Sequence, residues 1–370
     1  MRSILFCLLS AMLLWGYTGS AQTTPKTNPL EVAATVHVGL VRPQKIIPAS
    51  ELAPLGGELT IGRLRTSEKA WQQCRCFFRS GMYLNYYNFR NPGLGETFGA
   101  GLYFEPLLIY RPSFNLSVRA TVGLSYVDRI YDPVKNPNRN FGSPLNGMTG
   151  VGIYGRSRLA ESLEVIGTLA FDYRHISNAG VVQPNQGINI PSFVIGLAYA
   201  PSSVELPDAS AWKALALTER WFGRTLALWS MRVYPADGKN PDTPRRMLGI
   251  NVLGGYRFTK SHAVSTGLEV LDDGYMWEQM KRANYKGSTK QATWLVGYEL
   301  WQGHVVFTAH FGYNFLRPGA KVFGKGGYRP STYEKYGLLY QFSNGITAGV
   351  VVKAFGEDTK GFQLAVGGSF

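Results

Sequence analysis

Cysteine is nearly missing from this 370-residue chain, with three residues at positions 7, 74 and 76. That excludes a disulfide scaffold. The Cys74-Arg75-Cys76 spacing suits neither an ordinary disulfide nor a metal-site template, so two free thiols are expected there. Histidine is almost as scarce, with five. His37, His262, His304 and His310 are scattered without ligand spacing, which points to packing or lumen-lining roles. Asp272-Asp273-Gly274 lacks the repeating acids of a calcium loop, so no metal or other cofactor is expected. After residue 21 no stretch approaches the ~18 consecutive apolar residues of a membrane-crossing helix. Acidic residues are also few, 24 against 38 basic ones, giving a formal net charge of +14. For an exported chain this favours a phosphate-rich lipid surface as the acidic partner, and no nucleic acid.

Export is read from the first 21 residues, which have the form of a signal peptide. Arg2 is the positive region, Ile4 to Leu14 the apolar core, and Gly19-Ser20-Ala21 the small-residue cleavage site. What the rest of the chain has in abundance is glycine (43), tyrosine (21), phenylalanine (20) and tryptophan (8), with few helix-forming stretches. The dominant pattern is alternation. From Asn115 to Val127, Leu116, Val118, Ala120, Val122, Leu124 and Tyr126 share one face, opposite Ser117, Arg119, Thr121 and Ser125. Val305 to Phe315 and the C-terminal Phe362 to Phe370 repeat the scheme. Segments of ~10 residues with this period, separated by turns, predict an all-β transmembrane antiparallel β-barrel.

About sixteen strands are expected. Eight lie near 32–42, 57–66, 77–90, 96–110, 113–128, 147–158, 163–177 and 190–200, and eight more near 221–235, 246–259, 262–272, 291–302, 304–317, 334–343, 346–356 and 361–370. Short turns alternate with long polar loops, the parity of periplasmic turns and outer loops. The loops 129–146, 178–189, 236–245, 273–290 and 317–333 then fall on the outer side. Residues 201–220 break the rhythm as a linker, with a possible helical piece at Ala209 to Glu219, between a first half at 22–200 and a second at 221–370. A single sixteen-stranded barrel is favoured, since Phe370 is the one obvious closing signal. Two eight-stranded halves are the alternative.

The chemistry concentrates at one loop. His175 and Ser177 stand two apart at the end of a strand, so both side chains take the face carrying Tyr173, Phe171, Leu169 and Val165. A serine nucleophile needs an adjacent base. Across the hairpin, Asn189 falls roughly opposite His175, placing Ser177, His175 and Asn189 in line as nucleophile, base and orienter. The amides of Asn178, Ala179 and Gly180 and the side chain of Asn185 are candidates for an oxyanion hole.

His175-x-Ser177-Asn178-Ala179-Gly180 followed by Pro184-Asn185-x-Gly187-Ile188 resembles the signature of the PagL-type lipid A 3-O-deacylases, also called acyloxyacyl hydrolases. The resemblance covers roughly residues 30–200. It implies an eight-stranded outer-membrane barrel with a lipid-facing site near the outer leaflet, and a carboxylic ester hydrolase acting on lipid A of lipopolysaccharide. By this match Ser177 is nucleophile, His175 base, and Asn185 with the turn amides the oxyanion hole. Two departures stand out. Asn189 occupies the position of the family's glutamate, and the second eight strands have no counterpart in short members. Outer membrane phospholipase A is similar at His-x-Ser-Asn with an asparagine at the same offset, and implies a phospholipase instead. A porin or structural barrel with a degenerate site is the non-enzymatic alternative. Lys281, Arg282, Lys286, Lys290, Arg317, Lys321, Lys325 and Arg329 are candidate contacts for lipopolysaccharide phosphates.

Overall fold

A computed structural model describes residues 28–40, 53–111, 113–159, 164–200, 206–207, 212, 217–316, 331–355 and 358–370. The expected signal peptide and most of the possible helical piece at Ala209 to Glu219 lie outside these residues. Sixteen strands form: β1 (Leu30–Gly39), β2 (Leu55–Arg65), β3 (Phe78–Asn88), β4 (Glu96–Tyr110), β5 (Phe114–Val127), β6 (Leu145–Arg158), β7 (Val165–Ser177), β8 (Ile188–Tyr199), β9 (Trp221–Tyr234), β10 (Thr243–Arg257), β11 (His262–Asp273), β12 (Lys290–Gln302), β13 (Val305–Leu316), β14 (Thr332–Gln341), β15 (Ile346–Phe355) and β16 (Asp358–Ser369). Among the described residues two short helices, α1 (Glu68–Cys74) and α2 (Gly274–Arg282), sit in the β2–β3 and β11–β12 connections. No helix among the described residues is long and apolar enough to cross a membrane.

The strands close into two barrels, β1–β8 and β9–β16, correcting the favoured single barrel of sixteen. The decisive pairing is β8 with β1, where Val32↔Tyr199 through Gly39↔Ser192 are antiparallel partners. β9 likewise closes on β16, with Leu364↔Trp229 through Ser369↔Arg224. The physical reason lies in the lumens. An eight-stranded barrel is just wide enough for interior side chains to meet, whereas a sixteen-stranded one leaves a water channel.

In the first barrel, seven successive strands each send an ionised group inward. Glu105 contacts Arg79, Arg119 and Arg156; Glu31 contacts Arg79 and Arg156; Glu58 contacts Arg119 and Arg174; and Arg174 also holds Asp172. Four arginines thus face four carboxylates, a neutral set that closes only if the opposite walls are one small barrel apart. In the second, Glu299 pairs with Arg224, and Glu269 with Lys335 and Lys353. Lys335 and Lys353 come from β14 and β15, Glu269 from β11 across the lumen.

The outer faces are apolar: Leu84 is 61% exposed and Ile195 60%, while Arg119 and Arg174 inside are at most 1%. This inversion of a soluble protein's burial is what hydrocarbon on the outside and polar groups on the inside require. One further expectation needs correction. Cys76 is disulfide-bonded and not a free thiol. The sequence spacing argued against it, but the chain turns sharply here. Arg75 adopts a left-handed conformation (φ 56°) at the end of α1, a geometry that spacing alone does not reveal.

Candidate active site

β7 carries the candidate pair, His175 and Ser177, because its alternation is unbroken up to the loop. Leu169, Phe171 and Tyr173 are exposed on the outer face, Asp172 and Arg174 buried in the lumen. His175 and Ser177 continue the outer face. Yet His175 is only half-buried and Ser177 is 4% exposed, so the end of this face is covered where the rest is open.

The β7–β8 register places His175 directly opposite Asn189. Asn189 Oδ1 lies 2.6 Å from His175 Nδ1. A carbonyl oxygen can only accept, so Nδ1 donates and Nε2 is left with its lone pair, the tautomer a general base needs. Nε2 itself is buried without a hydrogen-bond partner.

Ser177 Oγ is held on its other side. It accepts from Asn185 Nδ2 at 2.8 Å and from the Ala179 amide at 3.0 Å. Of the turn amides considered from sequence, Asn178 N–H donates to Asn185 Oδ1 (3.1 Å) and Gly180 N–H to Asn178 Oδ1 (2.9 Å). Those two bonds position the loop. The donors that converge on Ser177 Oγ are the Ala179 amide and Asn185 Nδ2. The turn needs left-handed backbone at Ala179 (φ 56°) and Gly180 (φ 82°), and the alanine accepts a conformation rare for a side-chain-bearing residue.

The site brings all the candidates together but makes no Ser177–His175 hydrogen bond. Gly187 sits between them. Its φ is +66°, and a Cβ built there would meet Ser177 Cβ at 3.2 Å and His175 Cε1 at 3.3 Å. Serine and imidazole therefore flank one glycine, without the hydrogen bond that would join a nucleophile to its base. Such bonds are often open without substrate.

Sequence reasoning missed the support from the β5–β6 loop. Gly187 N–H donates to Asn140 O, and Asn140 Nδ2 donates back to Gly187 O, both at 3.0 Å. Gln186 N–H reaches Arg139 O at 3.2 Å, and Asn178 Nδ2 reaches Ser143 Oγ at 3.1 Å. Asparagines in a polar loop read as turn formers, and nothing in their spacing announces this docking.

Of the basic loop candidates, Arg282 is engaged by Glu278 at 3.0 Å and Asp237 at 3.1 Å, and Lys281 lies 5.4 Å from the centroid of the Trp277 ring. Arg317, Lys321, Lys325 and Arg329 lie outside the described residues. Among the described residues no three His, Cys, Asp or Glu side chains gather at metal-binding spacing.

Comparison with known families assigns both barrels. Residues 61–198 match lipid A 3-O-deacylase (PagL), and residues 229–368 match the acyloxyacyl hydrolase C-terminal domain. Among solved structures, the outer membrane enzyme PagL is similar at 16% identity, covering 45% of this chain and 97% of that one with a TM-score of 0.32. A mutant Rh. blastica porin aligns at 15% identity over 93% of this chain and 100% of its own, with a TM-score of 0.19. No curated protein matches. With a family match on each barrel, the chain belongs to the PagL lipid A 3-O-deacylase and acyloxyacyl hydrolase family and is an outer-membrane β-barrel hydrolase.

Proposed function

We propose that this protein removes an ester-linked acyl chain from lipid A by a serine–histidine mechanism in its first barrel. The observation that carries the reading is the linked set on the outward face of β7 and β8: Asn189 orients His175, and Asn185 with the Ala179 amide converges on Ser177 Oγ. Ser177 Oγ attacks the ester carbonyl while His175 Nε2 takes the hydroxyl proton. The carbonyl π electrons move onto oxygen, where the Ala179 amide and Asn185 Nδ2 donate to the developing charge. Collapse breaks the bond to the sugar oxygen, which leaves with the proton carried by His175. Water, deprotonated by the same Nε2, then releases the fatty acid and restores Ser177.

Asn189 is the weak member. Its carbonyl fixes the tautomer but carries no charge to balance the imidazolium, as a carboxylate would. The same asparagine favours a second reading, a phospholipase with a Ser-His-Asn site. Both lumens are filled by ion-paired side chains, which argues against the porin alternative.

Isolated outer membranes distinguish the readings. Wild-type protein is expected to release fatty acid from lipid A, and Ser177→Ala to release none while remaining folded. Cleavage of phosphatidylethanolamine in calcium, with lipid A intact, would promote the phospholipase.

A further inference from the structure

The second barrel reaches the surroundings of Ser177. Gly147 on β6 is the register partner of Ser177. A Cβ built on Gly147 would meet the Phe362 ring of β16 at 3.2 Å and the Ser177 carbonyl oxygen at 3.4 Å. Phe362 takes the outward face of β16, since its neighbours Gly361 and Gln363 are buried and Leu364, two along, is exposed. The bare backbone at Gly147 is what lets the ring approach beside the nucleophile.

Two more contacts cross the same seam. The Val233 amide of β9 donates to Gly180 O at 3.0 Å, and a Cβ on Gly361 would stand 3.6 Å from Ala179 O. The turn holding the Ala179 amide is thus braced from the second barrel. Deeper along the seam Phe104 of β4 meets Phe307 of β13, with ring centroids 6.3 Å apart.

We propose that the C-terminal barrel is a wall of the catalytic site, and that Phe362 sets which acyl chains reach Ser177. This rests on the deacylase reading above. The ligand is an acyl chain entering from the lipid phase. It lies along the apolar outer face of β6, with Val151 and Ile153 below Gly147, and packs against the Phe362 ring. Val151, Ile153 and the Phe362 ring offer that place more to hydrocarbon than to a polar headgroup. The Val233–Gly180 bond holds the wall in register with the oxyanion turn.

The full-length protein in outer-membrane lipid tests this by two routes. Phe362→Ala is expected to change the ratio of rates on long- and short-chain esters by roughly tenfold, the scale of discrimination a hydrophobic pocket gives. Leu364→Ala, on the same outer face but away from Gly147, should leave the ratio as in wild type. An unchanged ratio for Phe362→Ala, or an equal shift for Leu364→Ala, overturns the proposal. The second route needs no turnover. Ser177→Ala protein mixed with lipid A carrying a photoreactive acyl terminus should crosslink to the peptide containing Phe362. Crosslinks confined to β6–β8 would contradict the wall, whereas residual hydrolysis by Ser177→Ala would instead overturn the serine mechanism. The two failures are therefore distinguishable.

Discussion

Asn189 Oδ1 sits 2.6 Å from His175 Nδ1, a hydrogen bond that joins β8 to β7 and orients the imidazole. If the bond sets the tautomer, Asn189→Leu leaves the histidine free to protonate on the wrong nitrogen. Activity should fall by about 10²–10⁴, toward the loss seen when a triad's third member is neutralised. Asn189→Glu should instead raise the rate, by supplying a charge that balances the imidazolium. Initial rates of fatty-acid release, normalised to folded protein, decide both.

Asn185 and the Ala179 amide hold Ser177 Oγ at 2.8 and 3.0 Å. Losing one oxyanion donor costs about 10²–10³ in kcat elsewhere. Asn185→Ala is expected to lose that much kcat with little change in KM. A change confined to KM would show that Asn185 only binds substrate.

Gly187 has two independent reasons to be glycine, its φ of +66° and the absence of room between Ser177 and His175. Gly187→Ala should therefore abolish activity with only a modest loss of stability, about 1 kcal/mol or more from the backbone conformation. Thermal unfolding measured beside turnover separates the two effects.

Glu105 is buried and touches three arginines, Arg79, Arg119 and Arg156. Removing it leaves buried positive charge unbalanced, which costs roughly 3–5 kcal/mol. Glu105→Leu should lower the unfolding temperature of the first barrel far more than Glu68→Ala, whose carboxylate is exposed on α1 in the β2–β3 connection. Similar shifts for both would contradict the lumen network as the stabilising core.

Much of the fold and the site is legible in the sequence. The β7 pattern fixed which side chains share a face, because strand period admits no other assignment once the apolar set is recognised. The pairing of His175 with Asn189 follows from centring the β7–β8 loop near Val182 and counting outward along both strands. Closure was another matter. Whether β8 pairs with β1 or β9 depends on lumen partners such as Glu58 and Arg174, which are 116 residues apart and look from sequence like isolated charges. The bracing of Gly187 by Asn140 and the seam contact of Phe362 on Gly147 were hidden for the same reason. Both need tertiary proximity that no local pattern carries.

The most direct test of the central claim is the mass spectrum of lipid A from outer membranes containing the wild-type protein or Ser177→Ala. The account predicts a species lighter by one acyl chain with wild type and none with Ser177→Ala. Identical lipid A profiles in the two, with both proteins folded in the membrane, would contradict it.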